Sequence, residues 1–183
     1  MKQRQLPAYL HDIFGEKQSV LTIVIILLFG GGLATALTLQ YPAMYQGIPL
    51  WRSILAFILV FDIFSGCLAN FTASTSNYYA TRSGKRWLFI SVHVHVLLVA
   101  FLLGTSLWPA FAAWLYTVAG AALVNAIRGS NQLFIGGLLL SLGVGWLPML
   151  ASMEPYMLII SLLFMVKVLF GFSVNHYRIG EAS

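Results

Sequence analysis

Residues Trp87–Ile127 read WLFISVHVHVLLVAFLLGTSLWPAFAAWLYTVAGAALVNAI, an apolar passage without one Asp, Glu, Lys or Arg. A hydrocarbon core about 30 Å thick is crossed by about 20 helical residues, so the passage is too long for one span and suits two. Gly104-Thr105-Ser106 supplies the turn between them. Pro109 fits the first turn of the second helix, where its missing N–H leaves no bond unmade.

Outward from this pair, apolar runs place further spans at Val20–Leu39 and Leu50–Asn70 on one side and at Gln132–Leu147 and Pro155–His176 on the other, with the central pair at Trp87–Gly104 and Pro109–Ile127. The chain has 183 residues, 60% hydrophobic and 8% charged, with a mean hydropathy of +0.87. No ordinary water-soluble domain tolerates that composition. The expected fold is therefore all-α: residues 1–183 form a single six-helix membrane bundle with short loops and no room for a soluble catalytic domain. Ahead of it, Leu6, Leu10, Ile13 and Phe14 share one helical face between Pro7 and Gly15, which predicts a short helix in the membrane interface.

Ten Lys and Arg against five Asp and Glu give a net charge of +5, but the basic residues are scattered at span ends rather than gathered as a nucleic-acid surface. No nucleic-acid partner is expected; the bilayer itself is the first partner. Positive residues accumulate on the cytoplasmic side. With the N-terminus inside, Lys2, Arg4, Lys17, Arg82, Lys85, Arg86, Arg128 and Arg178 fall there, only Arg52 falls outside, and Lys167 is embedded. This reads as a multi-pass protein of the plasma membrane with both termini cytoplasmic. Ala34-Thr35-Ala36 resembles a signal-peptidase site, but Asp12 and Glu16 ahead of the apolar run argue against cleavage. The sequon at Asn70 falls on the wrong side for glycosylation, and the single cysteine, Cys67, permits neither an intrachain disulfide nor a Cys-based zinc site.

Ionisable groups inside hydrocarbon are costly and mark partners or pathways. Here they are Asp62, His93, His95 and Lys167. At the helical rise, Asp62 lies about 18 Å below Leu50, and Lys167 is as far below Pro155. His95, counted from Trp87, lies about 12 Å above the cytoplasmic edge, so all three share one level in the inner half. The second and sixth spans run in the same direction, which allows Asp62 to pair with Lys167; the alternative is a lysine whose long stem reaches the surface. His93 and His95 are about 200° apart on a continuous helix, so at most one faces the interior, and Ser91 on the same face favours His95. Neither haem nor a shared metal fits that spacing, since His11 and His176 lie at or beyond the inner edge; no cofactor is expected.

Small and polar residues flank this level. Ser65, Gly66, Ala69, Asn70, Ala73, Ser76 and Asn77 continue the Asp62 face toward the cytoplasm. Asp62, Gly66 and Asn70 in the second span, Thr117, Ala121 and Asn125 in the fourth, and Lys167, Gly171 and Asn175 in the sixth each end a small-residue stripe with an asparagine. Such stripes also serve plain helix packing. The inner loop gathers Thr72, Thr75, Tyr78 and Tyr79 with Arg82, Lys85 and Arg86, a set suited to an anionic headgroup. No nucleophile elbow, zinc motif or phosphate-binding glycine loop occurs.

Two functions fit these features. The first is a small permease or solute-binding membrane protein with a cytoplasm-facing pocket formed by Asp62, Asn70, His95, Asn125, Lys167 and Asn175. Its polar path covers only the inner half, so it has to open widely or act as a homo-oligomer. The alternative is a membrane-embedded enzyme acting on a lipid, with Asp62 and His95 as acid and base; no nucleophile supports it. A purely structural ion pair accounts for the same residues, and a Lys167 Schiff base with a chromophore is disfavoured by six spans where retinal proteins use seven.

Overall fold

The structure is a computed structural model and describes residues 3–127 and 131–177. Lys2, Arg128 and Arg178, used above for orientation, lie outside the described residues.

The chain opens with strand β1 (Gln3–Gln5), a 3-10 turn at Ala8–Leu10, a single helical turn α1 (His11–Phe14) and strand β2 (Lys17–Ser19). The two strands pair antiparallel, Gln3 opposite Ser19. Helix α2 (Val20–Gln40) follows directly, capped by Ser19, whose Oγ accepts the Thr22 N–H at 3.0 Å. After a turn at Pro42–Met44 come α3 (Leu50–Asn70) and a short α4 (Ala73–Ala80), the latter capped by the Thr72 hydroxyl.

The quoted passage forms three helices. These are α5 (Ser83–Val92), α6 (His95–Leu103), closed by Gly104 in the left-handed region, and α7 (Leu107–Ala126). Helix α8 (Asn131–Trp146) runs into a 3-10 turn at Leu147–Met149. Helix α9 (Pro155–Met165) starts on its proline and continues as π-helical turns over Val166–Phe172.

Among the described residues six helical stretches are long and apolar enough to cross a membrane: Val20–Gln40, Leu50–Asn70, Ser83–Leu103, Leu107–Ala126, Asn131–Met149 and Pro155–Phe172. These match the expected spans to within a few residues. The sixth is the hub. Ile160, Phe164, Met165, Val168 and Leu169 are fully buried, meeting Val60, Ile63 and Phe64 of α3, Val96, Val99 and Ala100 of α6, and Ala113 and Ala121 of α7 in one core. Leu28, Phe101 and Phe134 project outward, as a lipid-facing surface requires.

Two expectations need correction. Leu6–Phe14 is not one helix lying in an interface. Pro7 has no N–H to give, Leu6 donates its own to Glu16 O at 2.9 Å, and Gly15 at φ 74° turns the chain back, so the segment closes as a hairpin around one helical turn. Leu6, Leu10 and Phe14 still share a side, packing on Ile26 and Ala69. The third span, moreover, is broken: His93 and Val94 leave helical geometry between α5 and α6. The break voids the 200° separation of the two histidines. Both rings point inward with centroids 5.0 Å apart, His93 being the more buried, while Ser91 faces outward and bonds its own helix at Trp87 O.

Candidate functional site

Valine flanks both histidines in Val92-His93-Val94-His95-Val96, and β-branched residues resist continuous helix. Where the helix opens, the side chains take over the freed groups. His93 Nδ1 lies 2.6 Å from Phe89 O, and the His93 carbonyl accepts the Trp114 indole N–H at 2.9 Å. Helix α6 then begins at His95, at the level of Asp62.

Lys167 Nζ sits 2.6 Å from Asp62 Oδ2 and donates as well to the Asp62 carbonyl at 3.2 Å. His95 Nδ1 lies 3.4 Å from the same Oδ2, within ion-pair reach but without the alignment of a hydrogen bond. The structure thus brings together Asp62, His95 and Lys167, and adds His93 behind them. Lys167 pairs rather than reaching the surface.

The last span adapts to this pairing. Cys67 Sγ donates to Leu163 O at 3.0 Å and Asn70 Nδ2 to Lys167 O at 3.1 Å. Cys67 and Asn70 lie one turn apart on α3, and the carbonyls they engage lie one turn apart on the facing helix. Side chains inserted into a helical ladder loosen it, and the π-helical turns begin next to Lys167. Gly66 gives the lysine stem its passage: a Cβ there would overlap Cδ, Cε and Nζ of Lys167.

The two members of the pair differ in exposure. Lys167 is 4% exposed at its side chain and Asp62 48%. Asp62 opens into a cavity of about 210 Å³ whose polar lining also includes Lys167, Ser65, Asn70 and Asp12. Ile26, Phe61 and Phe89 form apolar walls, and Ile13 and Phe14 of α1 close the end toward the N-terminal segment.

That segment is clamped in place. Arg82 pairs with Glu16 at 2.8 Å, Lys85 with Asp12 at 3.0 Å, and the Tyr79 hydroxyl donates to Asp12 O at 2.9 Å. Partial burial pushes the Asp12 carboxyl up, but hydrogen bonds from Lys85 and Tyr78 outweigh it and hold the group below the usual carboxylate value. A larger hollow of about 540 Å³ lies outside the hairpin, lined by Glu16, Lys17, Ser74 and Arg82; it is an open surface cleft whose main charges already pair with each other.

Other expected residues lie elsewhere. Asn125 and Asn175 do not line the Asp62 cavity. The Asn175 N–H donates to Gln132 Oε1 at 2.9 Å, while Gln132 Nε2 donates to Val124 O and Ser173 O, so the Gln132 amide ties α7, α8 and the end of the last span together. Arg82 and Lys85, expected at a headgroup, are engaged by Glu16 and Asp12; Arg86 is buried apart from both. Among the described residues no group of three His, Cys, Asp or Glu is placed to hold a metal. Sequence reading missed Asp12 and Phe89 as cavity lining and His93 as an interior group. The alternation of valine and histidine was the available signal for the break. No protein family, curated protein or solved structure matches the chain, so its reading rests on this geometry.

Proposed function

We propose that the chain is a six-span bundle in the plasma membrane, with both termini cytoplasmic, that binds a small solute beside Asp62 and acts as a small permease. The observation that carries the reading is the asymmetry of the ion pair. A bridge serving structure alone has no need to hold its carboxylate half-exposed in a cavity while the lysine on the wall of the same cavity is only 4% exposed.

The broken third span supports the same reading. Irregular backbone at membrane depth is tolerated where it is buried in protein or lines a cavity, and transporters set interrupted helices beside their binding sites. Asp62 Oδ2 is shared between Lys167 and His95. A proton on His95, or a hydrogen-bond donor on the solute, competes with Lys167 for that oxygen and shifts the balance between conformations by its differential affinity. Orientation is supported by Arg4, Lys17, Arg82, Lys85 and Arg86 at the end that carries the N-terminal segment, against Arg52 at the other, where its guanidinium bonds Phe101 O.

Reconstituted protein tests this directly. In proteoliposomes loaded with a pH-sensitive dye, a panel of small amines, amino acids and carboxylates is screened for pH-gradient-dependent flux. Flux of at least one solute is expected, with Asp62→Asn abolishing it. Flux indifferent to Asp62→Asn removes the site, and a panel that stabilises the protein thermally without moving across the membrane reduces the reading to solute binding.

A further inference from the structure

We propose that Arg86 anchors a second site, one that takes a phosphate group at the membrane edge beside the end of the last span. Of the three basic residues clustered at the start of the third span, two have their counter-charge. Arg82 holds Glu16 and stacks on the Tyr78 ring, and Lys85 holds Asp12. Arg86 is 7% exposed, and its Nε and Nη2 are buried without any hydrogen-bond partner. Among the described residues no carboxylate reaches it, whereas the other buried cation, Lys167, has Asp62.

A buried lysine can relieve such a position by losing its proton, but a guanidinium keeps its charge. An uncompensated buried charge is among the costliest features a fold can carry, so an anion beyond the described residues is its natural complement. The planar fork suits the paired oxygens of a phosphate. The place fits as well. Arg86 lies on the first turn of α5, the entry of the third span, where headgroup phosphates lie, and no side chain caps that helix start. Phe89, one turn along α5, stacks on Phe172 with ring centroids 3.8 Å apart, which places this part of α5 beside the end of the last span.

Anionic lipid and free phosphate present the same chemistry, and the test separates them. Wild type, Arg86→Gln and Arg82→Gln are purified in neutral detergent and melted against increasing phosphatidylglycerol, phosphatidylcholine, or sodium phosphate at constant ionic strength. Phosphatidylglycerol is expected to raise the wild-type melting temperature saturably, phosphatidylcholine not. Arg86→Gln should need at least about tenfold more lipid for the same rise, the loss of a charge-assisted hydrogen bond, and Arg82→Gln should respond as wild type. An equal rise with inorganic phosphate assigns the site to a soluble ion.

Should Arg86→Gln not fold, native mass spectrometry of the wild type decides, with retained anionic phospholipid or phosphate expected. The proposal is overturned by a wild type that neither melts higher with either anion nor retains one, or by Arg86→Gln responding as wild type. It is overturned too if Arg86→Met is more stable than wild type in every lipid, since the charge then has no ligand.

Discussion

Lys167 and Asp62 share one bond but not one environment, and this sets the outcome of breaking it. Asp62→Asn strands a buried ammonium and should cost about 3–5 kcal/mol. Lys167→Met leaves a carboxylate that already faces a cavity and should cost clearly less. The double variant should recover most of the loss of Asp62→Asn, a coupling readable from melting of the purified proteins; the reverse order of the single variants would contradict the asymmetry. The depth of these residues was legible in the sequence because helical rise converts residue count into distance, and Asp62, His95 and Lys167 do share a level. His93 was not legible, because the facing rule assumes an unbroken helix. Arg86 was legible as a basic residue but not as a buried one, since that depends on how α5 packs against the rest of the bundle.

At the scale of elements, the hairpin β1–α1–β2 closes one end of the Asp62 cavity and is held by ion pairs on its exposed side. Exposed pairs weaken with salt. Trypsin cleavage after Lys17 should be slow in dilute buffer, and should accelerate at about 1 M salt and in the Asp12→Asn, Glu16→Gln double variant. Acid should act in the same direction. Because the folded Asp12 value is lowered, its contribution is complete above the ordinary carboxylate range near pH 4 and disappears as pH falls through the lowered value; pepsin, active in that range, reads the release. Cleavage indifferent to salt, acid and both substitutions would show that the ion pairs do not hold the hairpin. Sequence periodicity could not reveal this element, because Leu6, Leu10 and Phe14 fall on one side in a helix and in the hairpin alike. The same limit explains α4, whose polar sequence Ala73–Ala80 carries no apolar stripe and forms on its Thr72 cap.

For the whole molecule, the order of spans along the chain was readable because each apolar run has the length the bilayer sets. Their packing was not: apart from Lys167, nothing in the run Pro155–Phe172 distinguishes a central helix from a peripheral one, since a helix that is apolar all round can face lipid or protein. Orientation is open to a simple check. Cys67 is buried, so single cysteines introduced at Gln5 and Gln46 can be labelled in intact cells with a membrane-impermeant maleimide. Gln46→Cys should react from outside and Gln5→Cys only after lysis; the opposite pattern would turn the Asp62 cavity to the other face.

The central place of the last span also bears on how the protein is made. Helices leave the ribosome in order, and here the hub emerges after α3, α6, α7 and α8, the helices it packs against. Until residues Pro155–Phe172 arrive, the faces of α3, α6 and α7 that they cover stay open, and Asp62 lacks its ammonium. For a membrane bundle of the kind proposed, the late entry of Lys167, costly alone and favourable beside Asp62, marks the stage at which this core can close.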